Sequence, residues 1–367
     1  MTSIALIFFV TWSAAWLLTR GAARLGLTER VFAGESQRKS SGVSVPVIGG
    51  IAILSALVVA RILLGGVAAP SCYGPDGANS IGSFGLAEPW TWAALLCAFC
   101  VGFADDHFGF RPRTKLLGQA LAGACLVVPM VISSGFSLEP VLWVLGAILA
   151  QNAINTFDNA DGAATSLVAA ALIVPAPLAA AAVAGFLPLN LFRSRDAHSG
   201  RHGRPLLGDA GSHLLGILVL INPVAWPVLC LPLLDLARVS IVRIRLGIAP
   251  WIGDRRHLAH RLELAGVARI LVPVALLGIA APTVLFAFLG ANASLPQLGV
   301  SILLTTVLFA LAVWRSANPD RATVPQSSLR QRVAARAHPV LHSLPEPTSV
   351  ASRAQRERPR DVSSLVR

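Results

Sequence analysis

Apolar runs of roughly 15 to 20 residues recur along the whole chain, about the length a helix needs to cross a bilayer. "SIALIFFVTWSAAWLLT" (Ser3–Thr19) is the first of them. These runs are continuous in Ala, Leu and Val, whereas a β-barrel would show short strands alternating apolar and polar residues. Of 367 residues, 54% are hydrophobic and 13% charged, about half the charged share of a soluble domain. The expected fold is all-α: a polytopic integral membrane protein. The first run has no basic start and no small-residue cleavage site after it, so it reads as a retained span. Cys97 and Cys100 form a CxxC inside an apolar run with no second ligand pair, which points to packing and not to a metal or disulfide framework.

The net charge of +12 raises nucleic acid as a partner, but the placement of the charge argues against it. Every Lys and Arg except Arg61 falls in the segments 20–45, 105–115, 193–204, 238–269 and 315–367, and the connections 67–88, 135–137 and 290–296 hold none. Such partitioning is the positive-inside pattern of a membrane protein, and no aromatic interleaving or nucleic-acid motif accompanies it. Basic segments share the cytoplasmic side, so an even number of crossings must separate them. Runs 46–66 and 89–104 supply two. Runs 116–134 and 138–155, with two short spans flanking Val174–Pro177, supply four. Residues 212–237 cross twice with a hinge near Asn222–Pro223, and 270–289 and 297–314 close the set. With the first span this makes eleven crossings (ten if one proline-broken pair is a single helix), the N-terminus outside and the C-terminus inside. Residues 1–315 form the membrane domain. Residues 316–367, rich in Arg, Ser and Pro, form a cytoplasmic tail whose composition favours disorder.

This topology gathers the acids on the cytoplasmic face. Asp105 and Asp106 end the third span in "GFADDHFGFRPRTK". Asp158 and Asp161 end the fifth in "QNAINTFDNADG", and Asp209 precedes the eighth in "LLGDAGS". Asp254, Arg255, Arg256, His257 and His260 follow the ninth. Ionisable groups beside spans are costly and usually functional. Neighbouring carboxylates repel unless a cation lies between them, and hard oxygen donors suit Mg²⁺. Mg²⁺ with Lys, Arg and His nearby suits a diphosphate whose P–O bond breaks. The glycines of "LLGDAGS" fit a tight turn that approaches a phosphate, and the surrounding apolar spans suit a lipid tail. Each piece has a plainer reading alone: a solvated helix end, an Asn/Asp/Gly turn, interfacial histidines. Their convergence on one face favours metal-assisted phosphoryl transfer at a membrane surface.

In order along the chain, "RKSSGVSVPVIGG", "GFADDHFGFRPRTKLLGQ", "NAINTFDNADG", "GFLPLN" with "LLGDAGS", and "DRRHLAHRL" resemble the motifs of the polyprenyl-phosphate N-acetylhexosamine-1-phosphate transferases, over about Arg38–Gly266. The resemblance implies that a UDP-amino-sugar gives its sugar-1-phosphate to undecaprenyl or decaprenyl phosphate, releasing UMP. It implies Asp105 as base on the lipid phosphate with Asp106 beside it, and Asp209 as the holder of Mg²⁺ (Mn²⁺ as substitute), with Asp106 the second metal position. It places Lys115 and Asn190 at the nucleotide and phosphate, and Asp158 and Asp161 near uridine and sugar. Arg255, His257 and His260 would bind phosphate or sugar, and Lys39 and Asn155 are further substrate-binding positions. The expected partners are the UDP-sugar, the polyprenyl phosphate carrier and the bilayer of a bacterial cytoplasmic membrane, with a homodimer as one assembly. The chain departs from the family pattern at Ala33, Ser41, Leu206 and Ala259, and carries a long basic stretch between Asn190 and Asp209. These departures leave the acids intact and point to an altered sugar donor. The rival reading is a scaffold that has lost catalysis and binds or moves a lipid, for which acids near the bilayer midplane would be expected.

Overall fold

The computed structural model describes residues 2–22, 24–25, 27–30, 44–63, 89–192, 205–253 and 255–316. Lys39, Ala33, Ser41, Asp254, the basic stretch 193–204 and the tail from 317 onward lie outside the described residues. The helices are α1 (Thr2–Gly21), α2 (Gly49–Leu63), α3 (Pro89–Phe108), α4 (Pro112–Ser134), α5 (Leu138–Phe157), α6 (Ala163–Leu172), α7 (Pro177–Leu191), α8 (Gly208–Leu220), α9 (Cys230–Arg245), α10 (Leu258–Leu264), α11 (Val272–Leu289) and α12 (Leu295–Arg315). Among the described residues, six helical stretches are long and apolar enough to cross a membrane: Thr2–Gly21, Pro112–Ser134, Leu138–Phe157, Pro223–Arg245, Arg269–Leu289 and Leu295–Arg315. Four shorter apolar helices, Gly49–Ile62, Ala163–Leu172, Pro177–Leu191 and Gly208–Leu220, pack among them. The chain is therefore a helical, multi-span membrane protein.

The breaks fall where proline and glycine dictate. Between α6 and α7 the "VPAP" segment interrupts an otherwise apolar sequence, and Pro177 opens α7 at a position where its missing N–H costs nothing. Asn222–Pro223 likewise ends α8's run and begins a 3-10 segment, Pro223–Leu229, that leads into α9.

The centre of the bundle is α8. Every residue from Ala210 to Leu220 is buried, as a helix apolar on all sides must be, and it packs against α2, α3, α5 and α6. Contact this intimate needs small residues where backbones meet. A Cβ on Gly102 of α3 would stand 2.3 Å from the Asp209 carbonyl oxygen, so only glycine lets α3 lie against the start of α8. A feature absent from the all-helical expectation also fixes this start. Strands β1 (Thr28–Arg30) and β2 (Ser44–Pro46) pair antiparallel, and the chain leaving β2 joins the segment before α8 through Leu206 N–H to Pro46 O (2.7 Å) and Ile48 N–H to Leu206 O (3.2 Å). Two motifs far apart in sequence are thereby stitched backbone to backbone.

Gly102→Ala should force α3 away from α8 and destabilise the protein by about 1–3 kcal/mol, the usual cost of overpacking. Gly278 lies inside α11, and a Cβ added there would meet nothing within 4 Å, so Gly278→Ala should be neutral or slightly stabilising. Thermal unfolding in detergent distinguishes the two.

Candidate functional site

The corner between α3 and α4 answers what paired aspartates do at the end of an apolar run. Gly109, at φ +63°, stops α3 in the left-handed conformation that glycine adopts without strain. Pro112 starts α4, in the first turn where proline is tolerated. Inside this corner Asp105 Oδ1 accepts the Phe110 N–H at 2.6 Å. Its Oδ2 lies 2.9 Å from Lys115 Nζ, one turn into α4. The two carboxylates then part company. Asp106 turns to α8, whose first N–H groups have no partner of their own within the helix. Its Oδ1 accepts from Asp209 N–H at 2.8 Å and its Oδ2 from Ala210 N–H at 3.0 Å. The cap of α8 therefore comes from another helix. Gly208, at φ +75°, makes room for it, since a Cβ there would meet Asp106 Oδ2 at 2.7 Å. The close approach that the sequence suggested for a phosphate is made here by Asp106.

Held by that cap, Asp209 projects its carboxylate between α4 and α5. Its Oδ2 takes a hydrogen bond from Lys115 Nζ, and its Oδ1 one from Asn155 Nδ2. The same amide nitrogen also donates to Ser212 Oγ at 2.9 Å, and Lys115 Nζ reaches Asn155 Oδ1 at 3.5 Å. One ammonium thus bridges Asp105 and Asp209, with Asn155 completing the set. All are partly buried, with 9% of the Asp105 side chain, 18% of Lys115 and 28% of Asp209 accessible. Asp105, Asp106, Lys115, Asn155 and Asp209 are the expected positions that the fold brings together.

The other expected positions stand around this group. Asn190 is buried and spoken for: its Oδ1 accepts from Gly162 N–H at 2.6 Å and its Nδ2 donates to Pro205 O at 3.0 Å. It ties the start of α6 to the strand-like segment before α8. Asp158 caps the C-terminus of α5. Asp161, 8% exposed, pairs with Arg269 at 2.9 Å, which joins the α5–α6 loop to the chain just beyond α10. His257 is buried against Asp235 of α9, with Nδ1 at 2.9 Å from Asp235 Oδ2. His260 Nδ1 lies 3.3 Å from Glu263, and Arg255 lies 3.7 Å from the same carboxylate. Burial holds His260 below the ordinary imidazole range, with the Glu263 hydrogen bond pulling the other way.

Sequence reasoning missed Asp235 and Arg269. Asp235 had a signal, a lone acid in the apolar "CLPLLDLARVS"; Arg269 had none beyond its charge.

The donors around Lys115 Nζ are two carboxylates and an amide oxygen. That hard, all-oxygen set fits Mg²⁺ or Mn²⁺ and suits no thiophilic metal. Among the described residues no three His, Cys, Asp or Glu side chains gather in metal-holding geometry, so a divalent ion here would take its remaining ligands from Asn155, water and substrate phosphate, as Mg²⁺ commonly does.

Comparison with known proteins gives the same direction. Residues 89–226 match the model of glycosyl transferase family 4. The undecaprenyl-phosphate alpha-N-acetylglucosaminyl 1-phosphate transferases of Salmonella typhi and Escherichia coli K12 are each 26% identical, over 72% of this chain and 77% of their own length. A phospho-N-acetylmuramoyl-pentapeptide-transferase of Campylobacter jejuni is 30% identical over 33% of this chain and 37% of its own. The matched segment holds the whole Asp105–Asp106–Lys115–Asn155–Asp209 group, so the likeness to glycosyl transferase family 4 falls on the residues that form the site.

Proposed function

We propose that the protein transfers a sugar-1-phosphate from a UDP-amino-sugar of the UDP-N-acetylglucosamine type to polyprenyl phosphate, releasing UMP and starting a lipid-linked glycan. The observation that carries this reading is Lys115 Nζ set between Asp105 and Asp209 at one end of the helical bundle. The names of the relatives support it. In this reading that end faces the cytoplasm, where UDP-sugars are found, with the N-terminus outside and the tail inside.

The chemistry follows from the residues. The attacking group is an oxygen of the lipid phosphate, which at neutral pH needs positioning and, at most, loss of its last proton. Asp105, fixed by the Phe110 N–H, takes that proton. Lys115 moves its positive charge onto the diphosphate as the bond to UMP breaks, offsetting the charge that builds on the leaving oxygen. Asp106 keeps the first turn of α8 capped, so Asp209 stays aimed at the same point. A divalent ion held by Asp209 with Asn155, its remaining ligands water and substrate phosphate, would neutralise the diphosphate and make its phosphorus more electrophilic, which leaves Asp105 to act as base. Arg255 and His260 lie in the segment tied to the α5–α6 loop through Arg269–Asp161, suited to the sugar-phosphate half of the donor.

The acceptor's tail has a path. A cavity of about 1040 Å³ runs between α5 and α9, lined by Trp143, Gly146, Leu149, Trp226, Leu233 and Leu234. Trp143 and Trp226 meet edge to face at 5.2 Å, and the Trp226 indole N–H donates to Leu220 O at 2.6 Å. The lining is therefore apolar, with this indole's polar edge already satisfied. On α5 its lining ends at Ala150, five residues before Asn155, and in this reading the acceptor's phosphate reaches from there to Asp209.

Four outcomes test the reading. Purified protein with Mg²⁺ and polyprenyl phosphate should release UMP from at least one of a panel of UDP-sugars, and Asp105→Asn or Asp209→Asn should lower that release at least 100-fold in a protein that still folds, since each leaves Lys115 one carboxylate. Asp106→Ala should lower both, since loss of a helix cap costs about 1 kcal/mol. Lys115→Met should abolish transfer yet bind Mn²⁺ about tenfold tighter or more by electron paramagnetic resonance, because a unit charge competing at about 4 Å is removed. Gly146→Leu, which fills the apolar cavity, should raise KM for the lipid acceptor several-fold and leave KM for the UDP-sugar unchanged.

A further inference from the structure

Asp235 lies about 15 Å along α9 from the helix's last residue, Arg245, at 1.5 Å per residue. The chain that follows α9 folds back to meet it. Asp235 Oδ2 faces His257 Nδ1 at 2.9 Å, and both carboxylate oxygens accept from Leu258 N–H, at 3.1 and 3.2 Å. Arg238, one turn along the same helix, donates to Oδ1 at 3.0 Å and also reaches the Arg256 carbonyl. Arg243, two turns along, donates to Pro250 O at 2.7 Å and stands 3.3 Å from His257 Nε2. Asp235, Arg243 and His257 are 2%, 3% and 5% exposed.

The protonation pattern follows from the partners. A guanidinium only donates, so His257 Nε2 is the acceptor toward Arg243 and Nδ1 carries the proton toward Asp235. Both ring nitrogens are thereby engaged. His257 is also the N-cap residue of α10, and Leu258 N–H, an orphan donor of that helix, is satisfied by Asp235. At its other side α10 is pinned by Arg261, which donates to Ser316 Oγ at 3.0 Å and to Val313 O at 2.7 Å. Between these two anchors sits His260, with Arg255 just before them and Glu263 just after.

We propose that Asp235 is the positioning residue of this loop: it fixes the His257 tautomer, caps α10, and so sets where His260 and Arg255 stand toward the sugar-phosphate. His257 is then a latch and not a substrate ligand, and the motif's working imidazole is His260. The kinetic half of this inference rests on the transferase reading above; the structural half does not. A buried carboxylate that loses its charge weakens its hold on Arg238, on His257 and on the Leu258 N–H together, so the loop and not the bundle gives way.

The test uses the full-length protein in nanodiscs, as Asp235→Asn and, separately, His257→Phe. In both, hydrogen exchange of amides 255–264 should speed at least tenfold while α3, α4 and α8 keep their protection. The turnover rate should fall about 10–100-fold, the size expected when a group that orients the reacting residues is lost, with KM for polyprenyl phosphate unchanged. Asp235→Asn added to His260→Ala should lower turnover no more than twofold beyond His260→Ala alone. Unchanged exchange in the loop, loosening spread evenly over the bundle, or fully additive losses in the double variant would each overturn the proposal. Exchange needs no substrate, so a wild-type protein silent with every UDP-sugar defeats the reaction while the exchange result still decides the role of Asp235.

Discussion

One ammonium group holds the site together. Lys115 Nζ contacts Asp105 at the end of α3 and Asp209 at the start of α8, and reaches Asn155 on α5 from its own place on α4. Partly buried carboxylates cannot stand close without a cation between them, and a partly buried ammonium is as costly without anions. Four helices are thereby obliged to end at one point. The same position is where the charge of a diphosphate would have to be met, so what stabilises the resting site also suits the reaction.

Directly beneath lies a second polar layer on three of the same helices. Gln119 is one turn after Lys115, His213 one turn after Asp209, and Asn152 one turn before Asn155. Asn152 Nδ2 donates to Gln119 Oε1 at 2.5 Å, and Gln119 Nε2 lies 3.1 Å from His213 Nε2. Gln119 and His213 are fully buried. Inside a membrane bundle such contacts fix the register of neighbouring helices, because apolar packing alone has little preference for one register over another. The layer below holds α4, α5 and α8 in step, and the layer above uses that alignment.

Much of this was legible in the sequence because membrane proteins are strongly constrained. The helical stretches α4, α5, α11 and α12 fall within a few residues of their apolar runs, and "VPAP" and Asn222–Pro223 mark real interruptions. Charge placement put Asp105 and Asp209 on one face with the other acids, and only the family resemblance singled these two out. What composition could not show is which partner each polar group takes. Asp105 and Asp106 are adjacent, yet a helix sends them in different directions: one to an ammonium, the other to a helix terminus. Asn190 turns inward to two backbone groups, and His257 is held by Asp235, a residue more than twenty positions earlier. The hairpin of β1 and β2 had no signal of its own, being three residues per strand and made by backbone groups. Local pattern sets where spans begin and end; long-range hydrogen bonding decides which polar residues face a substrate and which face the protein.

The central claim is that a positive charge at the Lys115 position, and not merely a long side chain there, makes the Asp105–Asp209 pair competent. Chemical restoration of that charge tests it most directly. In a variant with the native cysteines replaced, Lys115→Cys should be inactive, and alkylation with 2-bromoethylamine, which rebuilds an ammonium at nearly the lysine length, should return UMP release. The uncharged analogue from propyl alkylation should not. Activity in unmodified Lys115→Cys, or equal recovery with both reagents, would contradict the account.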